Sequence, residues 1–198
     1  MKYLEHKHRQ DILQCLPSNA VCAELGVYMG RFASMIIRFL KPKRLYLVDP
    51  YWKIGSDAFW GKDSHEQALS SAIGRLKKWD NDNVAVMVID FDFLFLKDLP
   101  DKFFDWVFLD STHMYEDTLK ELEVIAPKIK DGGFIAGHDW HDNTGHKHAG
   151  VTKAICEWLE AHPEYELIIR DNFSHWILEH TPNKAAMLTC SEVWHDSM

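Results

Sequence analysis

The chain has 198 residues, a length that suits one compact domain and is too short for two. Its formal net charge of −8 argues against a nucleic-acid partner, because the phosphate backbone is bound by basic surfaces. No apolar run reaches the length of a membrane-spanning helix, so we expect no membrane partner either.

Cysteine usage favours a cytoplasmic location. The cysteines, at positions 15, 22, 156 and 190, form no closely spaced pair that would predict a zinc knuckle or a secreted disulfide framework. The first residues are charged and carry no apolar core, so they do not resemble a signal peptide. We therefore expect reduced thiols in a cytoplasmic protein.

Helices and strands alternate along the chain. We predict an N-terminal helix within residues 1–18, a Rossmann-like core over 20–180 and a C-terminal tail at 181–198. Apolar runs bounded by turn residues predict seven strands, at 20–25, 44–48, 84–89, 103–110, 134–138, 164–170 and 174–180. Helical spacing predicts helices at 3–16, 31–40, 62–79, 115–129 and 150–161.

This order predicts an α/β fold in a single domain over residues 1–198. Strands that are apolar on both faces are typical of a parallel sheet covered by helices on both sides. The last two strands are joined by the short turn Asp171-Asn172-Phe173, which predicts a hairpin. A second turn, Asp131-Gly132-Gly133, is predicted before the strand at 134–138. The expected architecture is a doubly wound, mostly parallel seven-stranded sheet with a C-terminal antiparallel hairpin strand.

The first strand-to-helix turn carries a candidate cofactor site. It has the sequence Glu24-Leu25-Gly26-Val27-Tyr28-Met29-Gly30, and open α/β sheets bind ligands beyond such strand ends. Gly26 permits a tight turn and the close approach of a ligand, and Gly30 permits close packing where the helix begins. Asp49 ends the second strand about twenty residues later, where a carboxylate can accept hydrogen bonds from ribose hydroxyls.

Two cofactors share this spacing. A nicotinamide dinucleotide would need a G-x-G-x-x-G turn, which is absent, and Glu24 would repel its pyrophosphate. The segment resembles motif I of the class I S-adenosylmethionine-dependent methyltransferases, although Tyr28 stands where the commonest form has Gly. The resemblance implies that Glu24, Gly26, Tyr28, Gly30 and Asp49 bind S-adenosylmethionine.

Asp90 and Phe91 follow the third strand and would lie beside the adenine in such a fold. Phe91 can stack on the base, but an ordinary core position explains this residue as well.

A second constellation follows the fourth and fifth strands. The fourth ends at Asp110-Ser111-Thr112-His113, and the fifth ends at Gly137-His138-Asp139-Trp140. Two carboxylates at neighbouring strand ends repel each other unless a cation lies between them. A hard divalent ion such as Mg²⁺ would relieve the repulsion and bind substrate oxygens.

The pattern D-x-x-H-x-Y-E followed by D-G-G-x-I-x-x-H-D resembles the metal-dependent O-methyltransferases of sugars and related hydroxylated metabolites, such as the macrolide-sugar methyltransferases. The resemblance covers roughly residues 20–160. It implies that Asp110 and Asp139 bind the metal, that His113 takes the proton from the acceptor hydroxyl, and that Asp110 also lies beside the cofactor. His138 is the candidate third ligand, because some relatives carry an acidic ligand at that position. It would suit a softer metal, and the alternative is a histidine that only forms a hydrogen bond nearby.

Structural roles are the alternative for these residues. Asp110 and Asp139 can cap helices or loops, and His113 can be a hydrogen-bonded structural histidine. His141, His146 and His148 lie in a polar segment whose spacing matches no standard zinc signature, so a flexible loop on the substrate side is favoured.

The sequence thus predicts S-adenosylmethionine-dependent O-methylation of a hydroxylated small molecule, such as a sugar or glycosylated metabolite, with a divalent cation. Asp110, His113 and Asp139 are the predicted catalytic residues. The alternatives are a nicotinamide-dependent oxidoreductase and a cofactor-binding protein that has lost catalysis. Little chain is left over beyond the core, so short loops or a second subunit of a homodimer would recognise the acceptor.

Overall fold

The computed structural model describes residues 1–51 and 65–182. The start of the helix predicted at 62–79 and most of the predicted tail lie outside the described residues. The strands are β1 (Lys2–Leu4), β2 (Val21–Leu25), β3 (Arg44–Val48), β4 (Ala85–Val88), β5 (Phe104–Leu109), β6 (Ile129–Gly137), β7 (Tyr165–Asp171) and β8 (Trp176–His180). The α-helices are α1 (Arg31–Leu40), α2 (His65–Trp79), α3 (Asp92–Lys97), α4 (Tyr115–Ile125) and α5 (Ala149–Ala161).

The strands of the described residues form one sheet in the order β1-β7-β8-β6-β5-β2-β3-β4. All neighbouring pairs are parallel except those of β8, which runs antiparallel to both β6 and β7. The predicted α/β class, mostly parallel and with a C-terminal hairpin, is confirmed. The sheet has eight strands rather than the predicted seven, because the short β1 adds to its edge.

The N-terminal segment departs from the prediction. The helix predicted within residues 1–18 is present only in part: Lys2–Leu4 pair in parallel with β7, and a 3-10 helix follows at Arg9–Cys15. Only polar residues lie between Leu4 and Ile12, so an α-helix here would have no continuous apolar face to bury. The exposed edge of β7 pairs the backbone of this segment instead.

Two apolar layers cover the two faces of the sheet. On one face, the 3-10 helix, α1 and α2 contribute buried residues such as Ile12, Ile36 and Ala72. On the other face, α4 and α5 contribute Leu122 and Ile155. The doubly wound arrangement therefore follows from amphipathic helices on either side of an apolar sheet.

The central strand β5 has both faces buried. Trp106 and Phe108 pack into the layer of α1, whereas Val107 and Leu109 pack into the layer of α4. None of the four is more than 4% exposed. This burial explains why residues 106–109 of β5 are all apolar and do not alternate with polar residues.

Two further differences are local. Helix α3 was not predicted, because six residues are too few to display a helical period. The turn predicted at Asp131-Gly132-Gly133 lies within β6, where the register with β5 shifts between Phe104 and Trp106. A Cβ on Gly133 would lie 2.7 Å from the carbonyl oxygen of Asp105, so the glycine accommodates a bulge and not a chain reversal.

The connections create one crevice. From β2 the chain proceeds outward to β3 and β4, and it then returns to the other side of β2 to form β5 and β6. The loops after β2 and β5 consequently leave the carboxyl ends of their strands in opposite directions. In this type of sheet, ligands bind in the crevice between two such loops. No helix in the described ranges combines the length and apolar character needed to cross a membrane.

Candidate active site

The turn after β2 contacts the end of β5 directly. Gly26 has a φ of +87°, and a Cβ added to it would lie 2.1 Å from the carbonyl oxygen of Asp110. Gly30, with a φ of +69°, begins α1 so close to α2 that its Cβ would lie 3.0 Å from Cα of Ala72. Both positions therefore require glycine, for conformation and for space.

Asp49 organises this turn. Its Oδ2 accepts hydrogen bonds from the backbone N–H groups of Val27 (2.9 Å) and Tyr28 (2.8 Å), and its Oδ1 accepts one from Tyr51 N–H (2.9 Å). Tyr51 is fully buried, and its hydroxyl donates to the carbonyl oxygen of Tyr28 at 2.8 Å. About four lone-pair directions are available on a carboxylate, so Asp49 has room for about one further donor, such as one ribose hydroxyl.

Glu24 lies at the base of the crevice as a buried acid with one oxygen that accepts no hydrogen bond from the described residues. It is 2% exposed, and its Oε2 is buried without a hydrogen-bond partner among the described residues. Burial raises the pKa of Glu24 well above its usual range, and the charges of Asp110 and Asp49 raise it further, while Arg9 opposes them. A buried carboxylate with an unsatisfied oxygen fits the ammonium group of an amino-acid moiety.

Asp90 and Phe91 lie at the end of β4, on the same edge of the sheet. Oδ1 of Asp90 accepts a hydrogen bond from Phe91 N–H at 2.8 Å. The Phe91 ring is half-buried, stacks against Phe93 with centroids 5.6 Å apart, and belongs to neither apolar layer. This position suits a wall of the cleft better than a place in the core.

Backbone hydrogen bonds bring the second constellation beside this turn. Asp110 N–H donates to Leu25 O at 2.8 Å, and His138 N–H donates to Leu109 O at 3.2 Å. The indole N–H of Trp176, on β8, donates to the carbonyl oxygen of His138 at 2.9 Å. The loops after β5 and β6 are thus anchored to neighbouring strands on both sides.

Asp139 is the centre of a cluster of titratable side chains. Its Oδ2 lies 2.8 Å from Nδ1 of His113 and 3.1 Å from Nδ1 of His138. Oδ1 of Asp110 lies 3.7 Å from the His138 nitrogen and 4.0 Å from the His113 nitrogen. The predicted metal ligands Asp110, His138 and Asp139 therefore converge, with potential ligand atoms within 4.8 Å of one another.

The charges of this cluster are coupled. Burial disfavours the ionised form of Asp139, but hydrogen bonds from His113 and His138 outweigh it and hold the pKa of Asp139 far below its usual range. Burial likewise disfavours the cation of His113, yet the hydrogen bond to Asp139 raises the pKa of His113 overall. Asp139 is consequently a permanent anion that attracts cations.

The histidine segment after β6 folds onto the other oxygen of Asp139. Nε2 of His141 lies 3.3 Å, and Nδ1 of His148 lies 3.1 Å, from Oδ1 of Asp139. The His148 nitrogen is buried and close to Asp139, but it is not oriented for a hydrogen bond with any described group. Burial lowers the pKa of His148. The segment predicted to be a flexible substrate-side loop thus contributes side chains to the cluster.

Arg9 is a member of the site that the sequence did not indicate. Its guanidinium lies 3.0 Å from Oδ2 of Asp110, and it also lies over the ring of Phe32 at 5.8 Å from the centroid. The 3-10 helix carries Arg9 across the crevice, because Ile12 and Leu13 of the same helix are fully buried. No sequence signal links Arg9 to Asp110, since the two residues are far apart in the chain and the polar run around Arg9 has no period.

Comparison with known proteins identifies the family of the chain. Residues 23–140, more than half of the chain, match the family described as methyltransferase domain. A search of curated proteins finds no match. The matched residues include the turn after β2, Asp49, Asp110 and Asp139.

Solved structures share the fold at low sequence identity. A candidate caffeoyl-CoA O-methyltransferase from Staphylococcus aureus has a TM-score of 0.62 at 13% identity, covering 87% of this chain and 80% of its own. A candidate O-methyltransferase from Klebsiella pneumoniae has a TM-score of 0.60 at 16% identity, with coverages of 86% and 76%. A precorrin-6y C5,15-methyltransferase from Geobacter metallireducens has a TM-score of 0.58 at 18% identity, with coverages of 83% and 82%.

The family match leaves the nicotinamide-dependent alternative without support. The domain match covers the glycine turn, Glu24 and Asp49. The chain therefore belongs to the methyltransferase-domain family and is a class I S-adenosylmethionine-dependent methyltransferase.

Proposed function

We propose that the enzyme transfers the methyl group of S-adenosylmethionine to a hydroxyl oxygen of a small molecule, such as a sugar or glycosylated metabolite, with the help of a divalent cation. The observation that carries this proposal is the cluster around Asp139. It lies across the crevice from the cofactor turn and offers both an anion for a cation and imidazoles for protons. Such groups are needed for an oxygen acceptor, because a hydroxyl is a poor nucleophile until it is deprotonated or bound to a metal.

The cofactor side of the crevice would hold the methionine and ribose portions. Oε2 of Glu24, buried and without a hydrogen-bond partner among the described residues, would accept hydrogen bonds from the ammonium group. Asp49 would accept a ribose hydroxyl while it continues to hold the turn through Val27 and Tyr28. These contacts fix the direction of the sulfonium and so align its methyl group with the acceptor oxygen.

The acceptor side would hold and deprotonate the hydroxyl. Asp110, His113 and Asp139, the catalytic residues predicted from the sequence, lie in one cluster together with His138. The donor set of carboxylate oxygens and imidazole nitrogens fits a divalent cation, which would lower the pKa of a bound hydroxyl. The permanent negative charge on Asp139 favours positive charge at this end of the cleft, whether on a cation or on a protonated imidazole.

An Asp139→Asn variant tests the proposal. Asparagine keeps the shape of the side chain and tolerates the left-handed backbone of this residue, whose φ is 65°. We expect methyl transfer from labelled S-adenosylmethionine to a panel of hydroxylated small molecules to fall by about a hundredfold or more. Binding of S-adenosylhomocysteine should stay within about twofold of wild type, because in the proposed arrangement the cofactor contacts Glu24 and Asp49 and not Asp139.

The matched control is Asp131→Asn. Asp131 lies in β6, the strand that leads to Asp139, but its side chain is half-exposed and pairs with Lys102 away from the crevice. Methyl transfer by the Asp131→Asn variant should equal that of wild type. Full activity in the Asp139→Asn variant would contradict the proposal.

A further inference from the structure

We propose that the cleft binds a transition-metal ion through Asp139, His113 and His148, and that this site prefers such an ion to Mg²⁺. The inference rests on the proposed function in one respect, the presence of a cation at Asp139. It changes the ligands and the chemical class of the ion from those predicted by the sequence, which gave Asp110, His138 and Asp139 with Mg²⁺.

The three side chains form a compact donor set. Each offers one ligand atom, and these atoms lie within 4.8 Å of one another. Both oxygens of Asp139 take part in the contacts, since Oδ2 lies 2.8 Å from Nδ1 of His113 and Oδ1 lies 3.1 Å from Nδ1 of His148. Small movements of the side chains would therefore bring two imidazoles and a carboxylate around one ion.

His148 supplies an independent observation. Its Nδ1 is buried and lies 3.1 Å from Oδ1 of Asp139, but the two atoms are not oriented for a hydrogen bond, and no other described group offers one. Buried polar atoms are normally hydrogen-bonded, and one that is not requires a reason. A metal ion bound by both His148 and Asp139 would satisfy this nitrogen.

Asp110 has less need of the cation than Asp139 has. The guanidinium of Arg9, 3.0 Å from Oδ2 of Asp110, already neutralises that carboxylate. The ion-pair contacts of Asp139 within the described residues are all imidazoles. Asp139 is therefore the carboxylate of the cluster that is surrounded by metal-binding side chains.

The donor chemistry selects the class of ion. Imidazole nitrogens suit zinc, iron, copper and nickel ions, whereas Mg²⁺ prefers oxygen ligands in near-octahedral geometry. Two histidines and one carboxylate with open positions are a common binding set for Fe²⁺ and for Zn²⁺. The other converging group, Asp110, His138 and Asp139, also includes an imidazole, so neither group offers a set of oxygens alone.

The assignment changes the role of His113. A histidine that binds the ion cannot also take the proton of the acceptor hydroxyl through the same nitrogen. We therefore assign His113 to the ion, in place of the proton-acceptor role that the sequence predicted.

Metal titration of the purified full-length protein, freed of metal by chelation, tests the inference. Zn²⁺ and Mg²⁺ are titrated separately in a calorimeter, and Co²⁺ is titrated by visible absorption, which reports its ligands and geometry. We expect Zn²⁺ to bind about a hundredfold or more tighter than Mg²⁺, and His148→Ala to weaken Zn²⁺ binding by about tenfold or more. Mg²⁺ binding as tight as Zn²⁺ binding would overturn the inference.

A second variant and a control distinguish loss of the metal site from misfolding and from adventitious binding. His113→Asn removes the other imidazole and suits the left-handed φ of 61° at this residue, and it should weaken Zn²⁺ binding to a similar extent. His162→Ala removes an imidazole near Glu123, outside the cluster, and should leave Zn²⁺ affinity unchanged. Equal Zn²⁺ affinity in all three variants would show that the ion binds elsewhere and would overturn the inference.

The inference and the proposed function fail in different experiments. Tight Zn²⁺ binding that depends on His148, without methyl transfer to any hydroxylated acceptor, supports the metal site and contradicts the proposed function. Methyl transfer supported by Mg²⁺, with Zn²⁺ binding unaffected by the His148 variant, supports the proposed function and overturns the metal-site inference.

Discussion

At the scale of single residues, Glu24 has the clearest link between burial and function. A fully buried carboxylate with one unsatisfied oxygen is costly, and no described cation lies within ion-pair distance of it. Its position at the end of β2 places it below the crevice. The cost is understandable if the ammonium group of the cofactor completes the site.

Glu24→Gln should weaken binding of S-adenosylhomocysteine by about 1.5–3 kcal/mol, the contribution of a hydrogen bond to a charged group. Binding of 5′-methylthioadenosine, which lacks the amino-acid moiety, should be unchanged. Calorimetry with both compounds checks this. An equal loss for the two compounds would mean that Glu24 supports the fold of the turn and does not contact the ammonium group.

A substitution of Gly26 tests the close contact between the turn after β2 and the end of β5. Gly26→Ala would force a Cβ to within 2.1 Å of Asp110 O at a φ of +87°, so we expect a loss of stability of about 2 kcal/mol or more. The matched control is Gly74→Ala in the exposed part of α2, where a Cβ meets nothing within 4 Å and should stabilise the helix by about 1 kcal/mol. Urea unfolding measures both changes. A neutral Gly26 variant would contradict the close contact between the two loops.

At the scale of secondary-structure elements, the buried pair at the start of β8 predicts a pH dependence. His175 is fully buried, and its Nδ1 lies 2.8 Å from Oδ2 of Asp171, the last residue of β7. The same oxygen lies 2.9 Å from Nδ1 of His6, which follows β1. The pair thus links the N-terminal segment to the hairpin.

Burial lowers the pKa of His175 below about 6.5, the usual value for histidine, and outweighs the attraction of Asp171. The unfolded chain then binds the proton more readily than the folded protein does. The contribution of His175 to stability is present above about pH 6.5 and decreases as the pH falls below that value.

We therefore expect His175 to make the free energy of unfolding of the wild type fall between about pH 7 and about pH 5. In His175→Gln the fall over this range should be smaller, because one group that takes up a proton on unfolding is gone. Urea unfolding at a series of pH values measures both slopes. Identical slopes in the two proteins would show that His175 does not titrate on unfolding.

Elements with a regular period could be predicted from the sequence, whereas elements defined by tertiary contacts could not. The periods of α1 and β3 give their observed bounds, 31–40 and 44–48, because both bury a regular apolar pattern. The N-terminal segment has no such pattern, and its structure depends on the edge of β7 and on Asp171 and Asn172. The bulge in β6 likewise depends on contacts with β5 that the residues Asp131-Gly132-Gly133 alone do not show.

At the scale of the whole molecule, the sheet explains which site residues could be found in advance. Parallel strands end at one edge, and the structure brings together there the loops that carry Gly26, Asp49, Asp110 and Asp139. The other side chains of the site reach it through tertiary folding. Arg9 lies on the 3-10 helix and His148 lies at the start of α5. Neither residue directly follows a strand, so the strand pattern of the sequence does not predict its position in the site.

The proposed reaction requires S-adenosylmethionine to bind in the crevice between the loops after β2 and β5. Calorimetric titration of the full-length protein with S-adenosylhomocysteine, S-adenosylmethionine and NAD measures this directly. We predict that both sulfur compounds bind, with a single site per chain, and that NAD does not. Binding of NAD without binding of either sulfur compound would contradict the account.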